Sequence, residues 1–314
     1  MKFPDKGSLL DLLWGSIATL ALFLAYVMLP LIGMFPGLFA PLPAIYFTLK
    51  RGRITGAAIV AITILVLALV TGPSATLLYV LQCGVMSLAL PVFLAAGKGG
   101  ARSIAYTMAV NLGLLLLVVA IYGAASGGNL HAQVLSGIKA TISQTAVLYE
   151  KAGLKGEDLQ AVQQEMAQAG ELIGRIYPAL VVVSLALIAG LNLLVFRKIG
   201  ARLPEPPAMG DFLRFKNPEQ LVWVLIAAGF ATLLPYPRVT ISALNVLVVV
   251  VSLYFVQGLA VIAHFFGRIS IPRFARTLFY LVLALQPYLS VAVAVLGIFD
   301  IWGDFRTPKS KENL

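Results

Sequence analysis

Six carboxamides stand inside apolar runs of this sequence: Gln82, Asn111, Asn192, Asn245, Gln257 and Gln286. Ser87, Ser184, Ser252 and Tyr254 lie near them in the same runs. A carboxamide both donates and accepts hydrogen bonds, so in hydrocarbon it must face protein or a cavity. Two chemistries follow from that requirement. One is hydrogen bonding between helices, worth about 1 kcal/mol per pair. The other is the lining of a binding cavity for a small polar solute. Both remain open at the level of sequence.

Other chemistry finds no residues to carry it. The two histidines, His131 and His264, are far apart, and neither belongs to an HExxH pair. No nucleophile elbow, phosphate-binding loop or aspartate-rich cluster occurs. No apolar run carries an acidic residue at its middle, so paired carboxylates for acid–base or metal chemistry are missing. That argues against a pump built on an intramembrane carboxylate and weakens ion-coupled transport. Cys83 is the only cysteine, which excludes an intrachain disulfide and a thiolate metal cluster. The expectation is a protein that is not an enzyme and that uses no cofactor and no metal.

These residues must be held by elements that suit a lipid solvent. Of the 314 residues, 60% are hydrophobic and 11% charged, against roughly 25% charged in a soluble domain. The charges cluster, and the runs between them approach the roughly 20 residues that a helix needs to cross a bilayer. A soluble enzyme, a disordered chain and a secreted disulfide scaffold are thereby excluded. A membrane β-barrel is excluded too, because its strands alternate in units of about 10 residues. The sequence predicts an all-α polytopic transmembrane bundle of eight or nine spans. The spans fall at 12–35, 37–49, 54–71, 74–96, 103–124, 176–196, 221–234, 239–266 and 277–302. The first is read as a retained helix rather than a signal peptide. The second is short, broken by Pro36, Pro41 and Pro43, and is either re-entrant or thinly spanning.

Net charge is +10. The economical reading is a topological signal rather than nucleic-acid binding. Alternation over nine spans puts Lys2, Lys6, Lys50, Arg51, Arg53, Lys98, Arg102, Arg197, Lys198, Arg202, Arg214, Lys216, Arg268, Arg273 and Arg276 on one face. The positive-inside rule makes that face cytoplasmic, with the N-terminus on it. The opposite face takes Lys139, Lys151, Lys155, Arg175, Arg238 and the tail residues Arg306, Lys309 and Lys311. A basic tail outside is the weak point, and a count of eight spans would return it to the cytoplasm. The three arginines around Pro272 serve topology or hold anionic headgroups.

Between spans five and six the chain is too polar to cross. Val134, Leu135, Ile138, Ile142 and Tyr149 share one helical face, and Leu159, Val162, Met166 and Ile173 share another. Asp158 suits the start of the second helix. This predicts an extracytoplasmic amphipathic hairpin whose second arm runs into span six. The expected regions are 1–124, the hairpin 125–175, 176–303 with a Pro-rich cytoplasmic loop at 197–219, and a hydrophilic tail 304–314. Phe212, Phe215 and Trp223 read as an aromatic belt. Small residues recur at four-residue spacing, with Ala21 and Ala25 beside Ala18 in span one, Ala57 and Ala61 in span three, and Ala186 and Gly190 in span six. Such stripes let helices approach closely. In span one the stripe serves internal packing or contact with another subunit.

Three passages carry a resemblance. Arg197-Lys198-Ile199-Gly200 precedes the Pro-rich linker, Phe212-Leu213-Arg214-Phe215-Lys216-Asn217-Pro218 follows it, and Tyr254-Phe255-Val256-Gln257-Gly258-Leu259-Ala260-Val261 precedes a basic turn. Together with Tyr177-Pro178 at the mouth of span six, these resemble the YybS-like family of bacterial inner-membrane proteins, which has no assigned biochemical role. The resemblance implies about eight spans. That family is distantly similar to the substrate-binding S components of energy-coupling-factor vitamin importers and to the shape-determining protein MreD. Likeness to S components implies a small-solute binding or transport subunit whose first span, at Ala21 and Ala25, contacts a coupling partner. Likeness to MreD implies instead a non-transporting scaffold for cell-envelope or division proteins. The expected partners are membrane lipids, a membrane protein complex and a small polar solute, and no nucleic acid.

Overall fold

The computed structural model describes residues 6–29, 32–126, 129–153, 155–303 and 305–306. Lys2, the Lys6 side chain, Lys309, Lys311 and almost all of the expected tail lie outside the described residues. Every regular element among the described residues is helical. The chain forms two compact units, residues 1–128 with 184–210 and residues 129–183 with 211–314. This division cuts across the boundaries expected at 124 and 175.

The first unit begins with α1 (Lys6–Met28), followed by the short α2 (Met34–Gly37) and by α3 (Leu42–Arg51). Pro41 and Pro43 bring no N–H, which is why this return is broken. α2 and α3 run antiparallel to α1. Gly37 lies against Tyr26, Phe47 against Gly15, and Lys50 and Arg51 hold Asp11 at 3.0 and 2.6 Å. The return therefore covers about 22 Å of α1, at 1.5 Å per residue between Tyr26 and Asp11. α4 (Arg53–Val70) follows at once. Gly52 and Gly72 bound it at φ of 106° and 84°, a region that only glycine enters freely. Next come α5 (Pro73–Tyr79), a π-helical turn (Val80–Gly84), α6 (Val85–Ala95) and α7 (Gly100–Ser126). Phe23, Ile59, Leu67, Tyr79 and Cys83 form one buried cluster. Ile45, Met86, Leu90, Ile188 and Phe196 form a second.

The second unit holds α8 (Leu130–Lys151) and residues 156–183 of α9 (Gly156–Ile199). Asn129 caps α8 by accepting the Ala132 N–H, and Glu157 and Asp158 occupy the first turn of α9. The two arms touch where Gly170 meets Ile138 and Ile142 and where Gly174 meets Leu135. His131 and the Tyr177 hydroxyl close the open end at 2.9 Å. The unit continues with α10 (Leu221–Ala231), α11 (Pro237–Arg268), α12 (Arg273–Leu285) and α13 (Pro287–Gly303). Close contact between α11 and α13 depends on Gly258 and Gly297. A Cβ at Gly258 would overlap the Val293 carbonyl, and one at Gly297 would overlap the Tyr254 carbonyl.

Six stretches are long and apolar enough to cross a bilayer: Gly7–Met28, Arg53–Val70, Pro73–Ala95, Gly100–Ala125, Gly156–Arg202 and Pro237–Arg268. α12 and α13 qualify only as a pair, bent by 109°. The expected straight span 277–302 is thus broken at Gln286, because Pro287 brings no N–H there. α10, expected as a span, has 11 residues and reaches only about 16 Å.

The nine-span alternation also placed Arg306 across the bilayer from the loop at 197–219. Instead, Arg306 donates to the carbonyls of Leu213 and Phe215 at 2.9 and 2.8 Å, so the two segments lie at one level. Reporter fusions after residue 216 and at the C-terminus should therefore report the same side of the membrane. Reports from opposite sides would be incompatible with this placement of Arg306.

Candidate functional site

The six carboxamides divide between the two units. Gln82, Asn111 and Asn192 belong to the first unit, and Asn245, Gln257 and Gln286 to the second. Three of them repair irregular backbone. Asn192 is fully buried and donates to the Leu38 carbonyl at 2.8 Å, at the break between α2 and α3. Asn245 spans the turn of α9 that contains Pro178. It donates to the Arg175 carbonyl at 2.8 Å and accepts the Ala179 N–H at 2.9 Å, so one amide joins both sides of that turn. Gln257 accepts the Asn217 N–H at 2.9 Å, where the chain before α10 is not helical. Gln286 is exposed at the bend between α12 and α13. It lines no buried site, contrary to expectation, because the helix it was assigned to is broken at that residue.

Gln257 belongs to a buried clamp in the second unit. Its Nε2 donates to Asp300 at 2.9 Å. Arg306 pairs with the same carboxylate oxygen. Arg306 also holds Leu213 and Phe215, while the Asn217 side chain donates to the Leu253 carbonyl at 2.9 Å. Asp300 is completely buried and the Arg306 side chain is 10% exposed. The clamp fixes residues 213–217 against α11, joining two of the passages that carry the family resemblance. Sequence reading missed Asp300, since it looked for acids at the middle of spans. The available signal was one carboxylate in an apolar helix with an arginine six residues on.

The first unit holds polar groups of another kind. Ser103, Thr107 and Asn111 recur at four-residue spacing on the buried face of α7, which packs on α6 and touches the π turn. Asn111 is 1% exposed, and neither atom of its amide has a partner. The hydroxyls of Ser103, Thr107 and Ser87 and the Gln82 carbonyl oxygen are likewise buried and unpaired. Pro91 has no N–H, which leaves the Ser87 carbonyl without its usual helical donor. A helical hydroxyl normally turns back to the carbonyl four residues earlier. Thr48, Thr63 and Ser252 do so at 2.6 to 2.8 Å, whereas Ser103 and Thr107 do not.

The small-residue stripes do not make the close helix approaches within this chain. Ala21, Ala57 and Ala61 are exposed, Ala18 and Ala25 are half-buried, and a Cβ at Gly190 would meet open space. The close approaches use Gly15 against Ile59, Gly56 against Thr48, and Gly258 with Gly297. Two open clefts occur in the second unit. One of about 390 Å³ is lined by Leu213, His264, Gly267, Arg268 and Arg306. The other, of about 550 Å³, lies between α10 and α11. None of the six carboxamides lines either cleft.

Apolar helices whose breaks are closed by buried amides define a multi-pass helical membrane protein. The chain belongs to the DUF2232 family of predicted membrane proteins, whose profile matches residues 17–301. No curated protein matches the chain. No solved structure matches it.

The clamp makes a thermodynamic prediction. Removing one member of a buried ion pair costs about 3–5 kcal/mol, because the other charge stays buried. Asp300→Asn or Arg306→Met should each lower stability by that order in detergent-solubilised protein. Asp300→Asn combined with Arg306→Met should cost less than the sum of the two. Additive losses in a double-mutant cycle followed by thermal unfolding would show that the two charges are not coupled.

Proposed function

We propose that this protein has no enzymatic chemistry of its own and that its first unit binds a small, uncharged, hydrogen-bonding solute. It would serve as the membrane-embedded binding subunit of a larger complex, in the manner of S components. The likeness to YybS-like proteins belongs to the same reading. The observation that carries it is Asn111, buried in an apolar helix with donor and acceptor both unpaired. A buried polar group left unpaired costs about 1–3 kcal/mol. Ser103 and Thr107 repeat that cost on the same face of α7. A solute offering both donors and acceptors would offset it, and the absence of charge in this group selects a neutral one. The sidedness follows the charges: Asp11, Lys50 and Arg51 cluster at the first end of α1, in keeping with a cytoplasmic N-terminus in a bacterial inner membrane.

A second reading is a scaffold for envelope-building or division proteins. It draws on the α8–α9 hairpin, read as extracytoplasmic, where Leu148 and Leu172 are 63% and 54% exposed. Crosslinking from position 148 that captures one reproducible protein partner would favour it.

The solute reading is tested without knowing the solute. In a Cys83→Ser background, Thr107→Cys should react with a small hydrophilic thiosulfonate, because a solute path must reach that face. Asn111→Leu should raise the unfolding temperature of the unliganded protein. A thiol at 107 that stays inert in the folded protein would overturn the reading.

A further inference from the structure

The 390 Å³ cleft in the second unit lies where α11 ends, and its wall is basic. His264 and Arg268 stand four residues apart on one face of α11 and both line it. Neither makes a hydrogen bond or ion pair among the described residues. Arg306 forms the opposite wall, but its guanidinium is committed to Asp300, Leu213 and Phe215. Its charge is therefore balanced, while that of Arg268 is not. A helix C-terminus by itself repels anions through exposed carbonyls, with an effective charge of about half a unit. Here Arg276 covers that end, donating to the carbonyls of Phe266 and Ile271 at 2.8 Å each. The cleft thus presents a free guanidinium, an imidazole and no unbalanced carboxylate.

What adjoins the cleft identifies the source of an anion. α12 begins four residues beyond α11 with Arg273, and Phe274, Leu278, Leu281 and Leu285 form one exposed apolar stripe along it. An amphipathic helix with arginines at its start and an uncovered apolar face suits the headgroup boundary of a bilayer. A ligand with a phosphate at the cleft and hydrocarbon along α12 would match both features.

We propose that this cleft seats the phosphate of an anionic phospholipid, bound by Arg268 and His264 and shaped by the Asp300–Arg306 clamp. The test uses the full-length protein, delipidated in neutral detergent, with native mass spectrometry and thermal unfolding as readouts. Phosphatidylglycerol should bind and raise the unfolding temperature more than phosphatidylethanolamine does. Losing one charge-assisted contact should weaken phosphatidylglycerol binding about tenfold in Arg268→Gln. Arg273→Gln, which removes the same charge from the next turn but does not line the cleft, should leave binding unchanged. Equal losses in the two variants would overturn the site, since they would report only general attraction to basic surface. Inorganic phosphate matching phosphatidylglycerol, with both lost in Arg268→Gln, would overturn the lipid assignment in favour of a soluble anion. Should Arg268→Gln fail to elute as a single species, Arg268→Lys keeps the charge and removes the planar fork. Undiminished binding in that variant would also count against the proposal.

Discussion

A backbone N–H or carbonyl left unpaired in hydrocarbon costs several kcal/mol, and that constraint governs the shape of this chain. The helices are interrupted often: between α2 and α3, at the π turn, at Pro91 and Pro178, before α10, and between α12 and α13. Each interruption frees backbone groups that an intact helix would have paired. Asn192, Asn245 and Gln257 answer three of them directly. A neutral carboxamide suits the task because it supplies donor and acceptor together at no charge. Asn245 uses both on a single turn of α9, which a hydroxyl could not do from a distance.

The clamp in the second unit extends the same solution to a segment that leaves a single 3₁₀ turn (Phe212–Arg214) and runs on without helix to α10. Residues 213–217 lie against α11 because Arg306 takes two of their carbonyls and Gln257 takes the Asn217 N–H. Holding a guanidinium there requires a counter-charge, and Asp300 supplies it. A buried ion pair gains little over apolar packing, since desolvation offsets much of its Coulomb attraction. Its value here is geometric: four hydrogen bonds converge on residues 213–217 and give them a single position. Gly258 and Gly297 make this possible by bringing α11 and α13 close enough for Gln257 to reach Asp300.

Much of the helical layout was legible from apolar run length and glycine or proline punctuation. The boundaries of α4, α7 and α11 follow their charged and glycine flanks closely. The breaks were less legible. Gln286-Pro287 sits inside an apolar run, and hydropathy averaged over that run hides a bend. The roles of the amides were hidden for a related reason. Residue type says that Asn192 and Asn245 need partners, but only the fold says that the partners are backbone atoms 154 and 70 positions away. Small-residue spacing did not mark the close approaches within the chain, because it counts residues on one helix, whereas close approach also needs a facing helix with room. Gly56 meets Thr48 and Gly258 meets Val293, and neither pair is visible as a stripe.

The unpaired face of α7 stands out against hydroxyls elsewhere in the same unit. Thr48, Thr63, Thr71 and Thr76 all turn back on backbone carbonyls four residues earlier, as Ser252 does in the second unit. Ser103 and Thr107 had the same option within α7 and do not take it. Asn111 extends their line by one more turn, with its amide equally unengaged. Ser16 and Thr19 on α1 are also buried and unpaired, so the first unit carries this burden on more than one helix. A chain whose carboxamides close backbone breaks in both units has the means to close these too. These groups carry the desolvation cost of burial with no compensating bond among the described residues.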